Sequence, residues 1–213
     1  MKRIILGVLL SFLLSGILFA EQGSLTFEVY GGLGYGSEIE ETENFAAGYE
    51  IDQTQSVVTS GTGGLKAHYY LLDSLSFSAG LAYALRRTKV VIVDQYGQTD
   101  SYMTVKRTAL QVPLMLRWGT GFYIAGGGYL AFQLGDATAE EADMDFPESV
   151  QNKTDYGFLG EIGYRFFETV SLGLNVEWGL PYVIEFPETE SLGYKIKNRQ
   201  ISLFIGIELD LLN

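Results

Sequence analysis

Nine charged residues hold the positions from which this chain could do chemistry: Glu28, Glu161, Glu177 and Glu208, with Lys66, Arg86, Arg107, Arg117 and Arg165. Each lies opposite the aliphatic face of a segment with period two, so extended backbone points all nine the same way. Acids and bases in near balance on one face can pair as buried ion pairs or line a narrow ion path. His68 shares that face and is the only histidine. Tyr70 follows two residues on, and sequence spacing sets no serine beside His68, so it reads as an interior side chain rather than a general base. With no cysteine, thiolate metal sites, iron–sulfur clusters and thiol nucleophiles have no ligands or nucleophile. The expectation is a chain that is not an enzyme and has no catalytic, cofactor-binding or metal-binding residues.

The elements that must position these side chains are strands. In Leu25 to Tyr35 the odd residues are apolar, while the even ones are Thr, Glu, Tyr and Gly. The same alternation recurs over 63–71, 75–87, a segment ending at Trp118, 122–134, 158–166, 170–178 and 200–209, which makes eight strands. The face opposite the aliphatic one carries Gly, Ala and Ser with isolated charges. That is too bare for a solvated surface but suits the narrow interior of an eight-stranded barrel. Aromatic residues gather toward both strand ends, with Trp118, Phe122, Tyr164 and Phe166 at one and Tyr35, Tyr83, Phe132 and Trp178 at the other, as two membrane interfaces require.

Connector lengths alternate. Tight turns fall around Leu72-Asp73-Ser74, Gly119-Thr120-Gly121 and Phe167-Glu168-Thr169, and long polar connections are expected over 37–56, 92–101, 136–155 and 181–195. This layout predicts an all-β fold: an eight-stranded antiparallel up-and-down transmembrane β-barrel with short turns on the periplasmic side and long loops outside the cell. The alternative is a secreted soluble barrel or sandwich, in which the apolar face would point inward.

Residues 1–20 read as a signal peptide, with Lys2 and Arg3 before the apolar run Ile4 to Phe19 and Ala20 at the cut, leaving 21–213 as the barrel domain. The formal net charge of −12 becomes more negative without Lys2 and Arg3, so no nucleic acid partner is expected.

Three stretches carry a family resemblance: Leu110-Gln111-Val112-Pro113-Leu114-Met115-Leu116-Arg117, Tyr123-Ile124-Ala125-Gly126-Gly127-Gly128-Tyr129, and Leu159-Gly160-Glu161-Ile162-Gly163-Tyr164. The chain resembles the bacterial outer-membrane β-barrel-domain proteins, in the company of the small eight-stranded barrels of outer-membrane proteins A and X. That resemblance implies a bacterial outer-membrane location, contact with outer-membrane lipids and with the assembly machinery, and a role as structural protein, adhesin or small pore. Such proteins usually end in an aromatic residue, whereas this chain ends Leu209-Asp210-Leu211-Leu212-Asn213.

Two further expectations concern the outside. Arg87, Lys89, Lys106, Lys195, Lys197 and Arg199 share the parity of the lipid-facing residues. Arg87 lies 12 residues from Leu75, Lys106 12 from Trp118, and Lys197 12 from Leu209. Tilted near 45°, that span rises roughly 29 Å, just past an apolar band of about 25 Å. They are expected to form a collar that holds lipid phosphates, or else to snorkel to the interface. The long connections are acidic, with Glu38, Glu40, Glu41, Glu43, Glu50 and Asp52 in the first and Asp136, Glu140, Glu141, Asp143, Asp145, Glu148 and Asp155 in the third. They suit divalent-cation binding or docking to an extracellular ligand or a basic host surface, or simply keep the loops solvated. The lumen charges are expected to close the barrel, the chain acting as a structural scaffold or adhesin. The alternative is a small pore or transport protein for ions or for small or hydrophobic solutes.

Overall fold

The computed structural model describes residues 23–36, 38–41, 49–51, 59–94, 96, 98–140, 144–145, 147–167, 169–185 and 194–210. The signal segment therefore lies outside the described residues. In chain order the strands are β1 (Leu25–Tyr35), β2 (Glu38–Glu41), β3 (Tyr49–Ile51), β4 (Thr59–Leu72), β5 (Leu75–Asp94), β6 (Thr99–Trp118), β7 (Phe122–Gln133), β8 (Thr138–Ala139), β9 (Met144–Asp145), β10 (Thr154–Phe166), β11 (Val170–Glu185) and β12 (Tyr194–Asp210). Eight of them are long and pair antiparallel with their neighbours in the order β1, β4, β5, β6, β7, β10, β11, β12. The ring closes where β12 meets β1, from Thr26↔Asp210 to Tyr35↔Ile201. Closure leaves no edge along the membrane-spanning height, the condition for backbone polar groups to survive in lipid.

Burial is inverted relative to a soluble barrel. Along β12 the residues alternate between exposed Ile201, Leu203, Ile205, Ile207 and Leu209 and buried Gln200, Ser202, Phe204, Gly206 and Glu208. Along β6, Leu114, Leu116 and Trp118 are exposed while Met115 and Arg117 are buried. Leaving Leu33 72% exposed and Glu28 fully buried makes physical sense only if the outer solvent is hydrocarbon. Among the described residues no helix is long and apolar enough to cross a membrane; the strands do the crossing. The turn-side aromatics Trp118, Phe122, Tyr164 and Phe166 are all exposed, and the Tyr164 and Phe166 rings pack 4.7 Å apart.

Two expected loops are strand in part. The segment 92–101 is the tip of a tall β5–β6 hairpin paired up to Val93↔Thr99. Twenty residues per strand at that tilt rise about 48 Å, roughly twice the apolar band. The polar residues near its tip resemble a loop in composition, yet the strands below it are held by cross-strand pairing and by Val90, Val91 and Val93, which are buried. Likewise β11 runs on to Glu185 past Pro181, and its register against β12 shifts between Trp178 and Tyr182 and again before Ile184. Proline, lacking an N–H, is tolerated at such a bulge. The irregularity turns both Val183 and Ile184 inward, where they are buried. The first long connection also contains strand: β2 pairs with β12 and β3 with β5.

Above the membrane-spanning wall these pieces enclose a small apolar core of Val90, Val105, Ala137, Ala139, Val183, Ile184 and Ile196, with Met103 and Val150 against it. Below it the lumen is polar.

Candidate functional site

Inward parity brings the lumen residues into two layers. Toward the turns, Lys66 Nζ lies 2.7 Å from Glu161 and 3.8 Å from Glu28, with its ammonium over the Tyr30 ring at 4.3 Å. These contacts tie β4 to β10 across the lumen and to β1 beside it. Arg117 stacks 3.5 Å over the Tyr123 ring and approaches Glu208 at 3.5 Å. Arg165 reaches the same Glu208 at 3.2 Å and donates to the Tyr70 hydroxyl, while Thr26 and Tyr70 donate to its carboxylate at 2.5 and 2.7 Å. Tyr123 donates to Glu161 at 3.0 Å. Toward the loops, Arg86 holds Asp155 at 2.7 Å and Glu177 at 3.1 Å. Tyr129 and Asn198 complete that layer by donating to Asp155 and Glu177.

Every one of the nine lumen residues faces inward, eight of them buried and Arg165 partly so. Eight make an ion pair. Arg107 is the exception: among the described residues no carboxylate comes within 4 Å of it, and its cross-strand neighbour is Arg86. Asp155, expected as a loop acid, is instead 5% exposed on β10 and belongs to the network. Its inward parity appears only because β10 begins at Thr154, earlier than the aliphatic alternation signals.

His68 does have a serine partner. The β4–β5 register sets it opposite Ser78, whose Oγ lies 2.7 Å from Nδ1, and Nε2 lies 3.1 Å from Glu28. Serine, histidine and carboxylate thus meet in series, but all three are buried, and neither lumen cavity is lined by any of them. The trio cross-links three strands, β1, β4 and β5. The signal for Ser78 was its alternation with Phe77 and Ala79; what sequence spacing lacked was the register.

Two small spaces interrupt the packing. One, of about 20 Å³, lies between the layers beside Lys66, Gln111, Glu161 and Phe204, and another of about 10 Å³ lies by Arg86, Arg107 and Asp155.

A barrel with a polar, crowded lumen, an apolar exterior and alternating short and long connections is the architecture on which the family comparison bears. Residues 19–185 match the family described as outer membrane protein beta-barrel domain. The chain belongs to that family. It is therefore a bacterial outer-membrane protein in contact with outer-membrane lipid. A search of curated proteins finds no match. Among solved structures, the outer membrane protein OprG from Pseudomonas aeruginosa is 15% identical with a TM-score of 0.49, covering 88% of this chain and 97% of its own. Neisserial surface protein A is 14% identical with a TM-score of 0.49, covering 87% and 97%. Ail, the attachment invasion locus protein of Yersinia pestis, solved with the heparin analogue sucrose octasulfate, is 10% identical with a TM-score of 0.45, covering 87% and 99%. None of the three bears on what this barrel does.

On the outer face of the barrel the six cations form two groups rather than a ring. Arg87, Lys89 and Lys106 sit on β5 and β6, and Lys195, Lys197 and Arg199 on β12, with β7, β10 and β11 between them one way and β1 and β4 the other. Lys197 lies 4.5 Å over the Tyr182 ring and Arg199 3.7 Å over Trp178. Of the loop acids, Glu140 pairs with Arg87 at 3.0 Å and Asp136 with Lys153 at 3.3 Å. Glu43, Asp52, Glu141 and Asp143 lie outside the described residues, and for Glu38, Glu40, Glu41, Glu50, Asp145 and Glu148 only the backbone is described.

A glycine guards the inner layer. A Cβ added at Gly206 would stand 2.0 Å from the Glu28 carboxylate. Gly206→Val should displace that carboxylate from His68 and Lys66 and lower stability by about 1–3 kcal/mol. The readout is the urea midpoint of the folded, heat-modifiable gel band, and adding Glu28→Ala should recover part of the loss; no recovery would place the strain elsewhere.

Proposed function

We propose that this barrel is a closed scaffold or adhesin, its lumen filled by paired side chains, and that it presents acidic outer loops to an extracellular ligand or a basic host surface. The observation that carries the closed lumen is the reach of Lys66 to Glu161 and of Arg86 to Asp155 and Glu177, which spans the lumen at two heights. Eight strands leave an interior about wide enough for side chains alone. The rings of Tyr30, Tyr123, Tyr129 and Phe204 occupy what the charges leave. No enzymatic role is proposed, and folding through the outer-membrane assembly machinery belongs to the same reading.

The acidic outer connections support the outward-facing role by composition. They suit electrostatic steering of a basic surface, an attraction that weakens as salt rises.

The test is conductance of the refolded mature chain in a planar bilayer, with heat-modifiable migration confirming closure of the barrel. The expected result is folded protein without current. Reproducible ion-selective steps that change with Glu161→Gln would sink the closed reading and make the chain a small pore.

A further inference from the structure

We infer that Arg87 and Lys106, with Lys89 beside them, clamp the phosphate of an outer-leaflet lipid headgroup. Arg87 and Lys106 are directly opposite one another on β5 and β6, and Lys89 is the next outward residue of β5. Side chains paired this way start about 5 Å apart, and like charges so placed repel. On a surface whose loops are otherwise acidic, that costly arrangement calls for an anion between the two heads. Glu140, 3.0 Å from Arg87, supplies one negative charge against three positive ones. Among the described residues Lys106 and Lys89 have no ion pair, and Lys89 instead caps the Tyr102 ring at 4.9 Å. An exposed ring beside a cation at headgroup depth is the usual furniture of a membrane interface.

The β12 group differs in its surroundings. Lys195 meets Glu185 at 2.7 Å, and the β2 register places Lys195 opposite Glu40 and Lys197 opposite Glu38. Acidic residues thus share the ladder with that group, and Glu185 already pairs with one of its cations. The β5–β6 group is the one with positive charge left over, at a height where lipid phosphates lie. Arg87 can offer two parallel N–H donors to one phosphate, and Lys106 adds a mobile point charge.

The experiment uses the full mature barrel in nanodiscs of phosphatidylcholine doped with diphosphoryl lipid A, with lipid retention counted by native mass spectrometry after release into detergent. The parent should retain the phosphorylated lipid. Arg87→Gln with Lys106→Gln should bind it roughly thirtyfold more weakly, two cations contributing about equally, while Lys195→Gln with Lys197→Gln should match the parent. Both pairs are on the outer surface, and heat-modifiable migration checks that each variant folds. Undiminished retention by the first pair would overturn the clamp, as would equal loss in both pairs. So would equal retention by the parent of lipid A stripped of its phosphates, which would leave the cations merely snorkelling.

Discussion

Replacing Lys66 by methionine is expected to cost the folded barrel about 3–5 kcal/mol. The ammonium sits 2.7 Å from Glu161 and 3.8 Å from Glu28, and both carboxylates are buried. Methionine has a similar length, so the loss would come from charge: two buried acids would remain facing one another with no cation between them. Tyr123 would still donate to Glu161 and His68 to Glu28, which places the expected cost within that range rather than above it. The check is urea unfolding in lipid vesicles followed by heat-modifiable migration. The double variant Lys66→Met with Glu161→Gln should recover most of the loss, because it removes the stranded charge along with its partner. A single variant as stable as the parent would mean that the lumen is wet enough to solvate the acids. That result would undercut the closed reading as well.

How far the sequence carried this picture depended on the range of the information. Parity is local: alternation in Phe27-Glu28-Val29 or Leu116-Arg117-Trp118 decides which side chain faces inward, because a one-residue slip would put a charge into lipid. The lumen face was therefore legible residue by residue. Pairing across the lumen is not local. Lys66 and Glu161 are 95 positions apart and His68 meets Ser78 through a hairpin register, and neither follows from spacing within a strand. Strand ends are less legible above the lipid, where β5 and β6 continue to Asp94 and from Thr99 around a polar tip, although Val90, Val91 and Val93 just below it are buried. Pro181 concealed the end of β11 because a bulge absorbs it. Pro113 sits within β6, where pairing to β5 lapses between Ala79↔Leu114 and Ala82↔Gln111. The aliphatic alternation on either side still identified that segment as a strand.

Arg86→Met should be at least as damaging as Lys66→Met, because one guanidinium serves both Asp155 at 2.7 Å and Glu177 at 3.1 Å. The expected loss is again about 3–5 kcal/mol, toward the upper end, since two buried acids lose their principal partner at once. Arg107, beside Arg86 on the next strand, is the cation that could move to meet them. In that case Arg86→Met combined with Arg107→Met should lose more than the two single losses added together. The triple variant Arg86→Met, Asp155→Asn, Glu177→Gln should regain much of the stability, because it keeps the side-chain volume and removes both stranded acids. It also separates two ways of closing a lumen. If volume closes it, the triple variant should remain silent in a planar bilayer, whereas truncating Tyr123, Tyr129 and Phe204 to alanine with all charges intact should admit ions. If the triple variant conducts while the ring truncations do not, the closure is electrostatic, and the ion pairs themselves exclude the current.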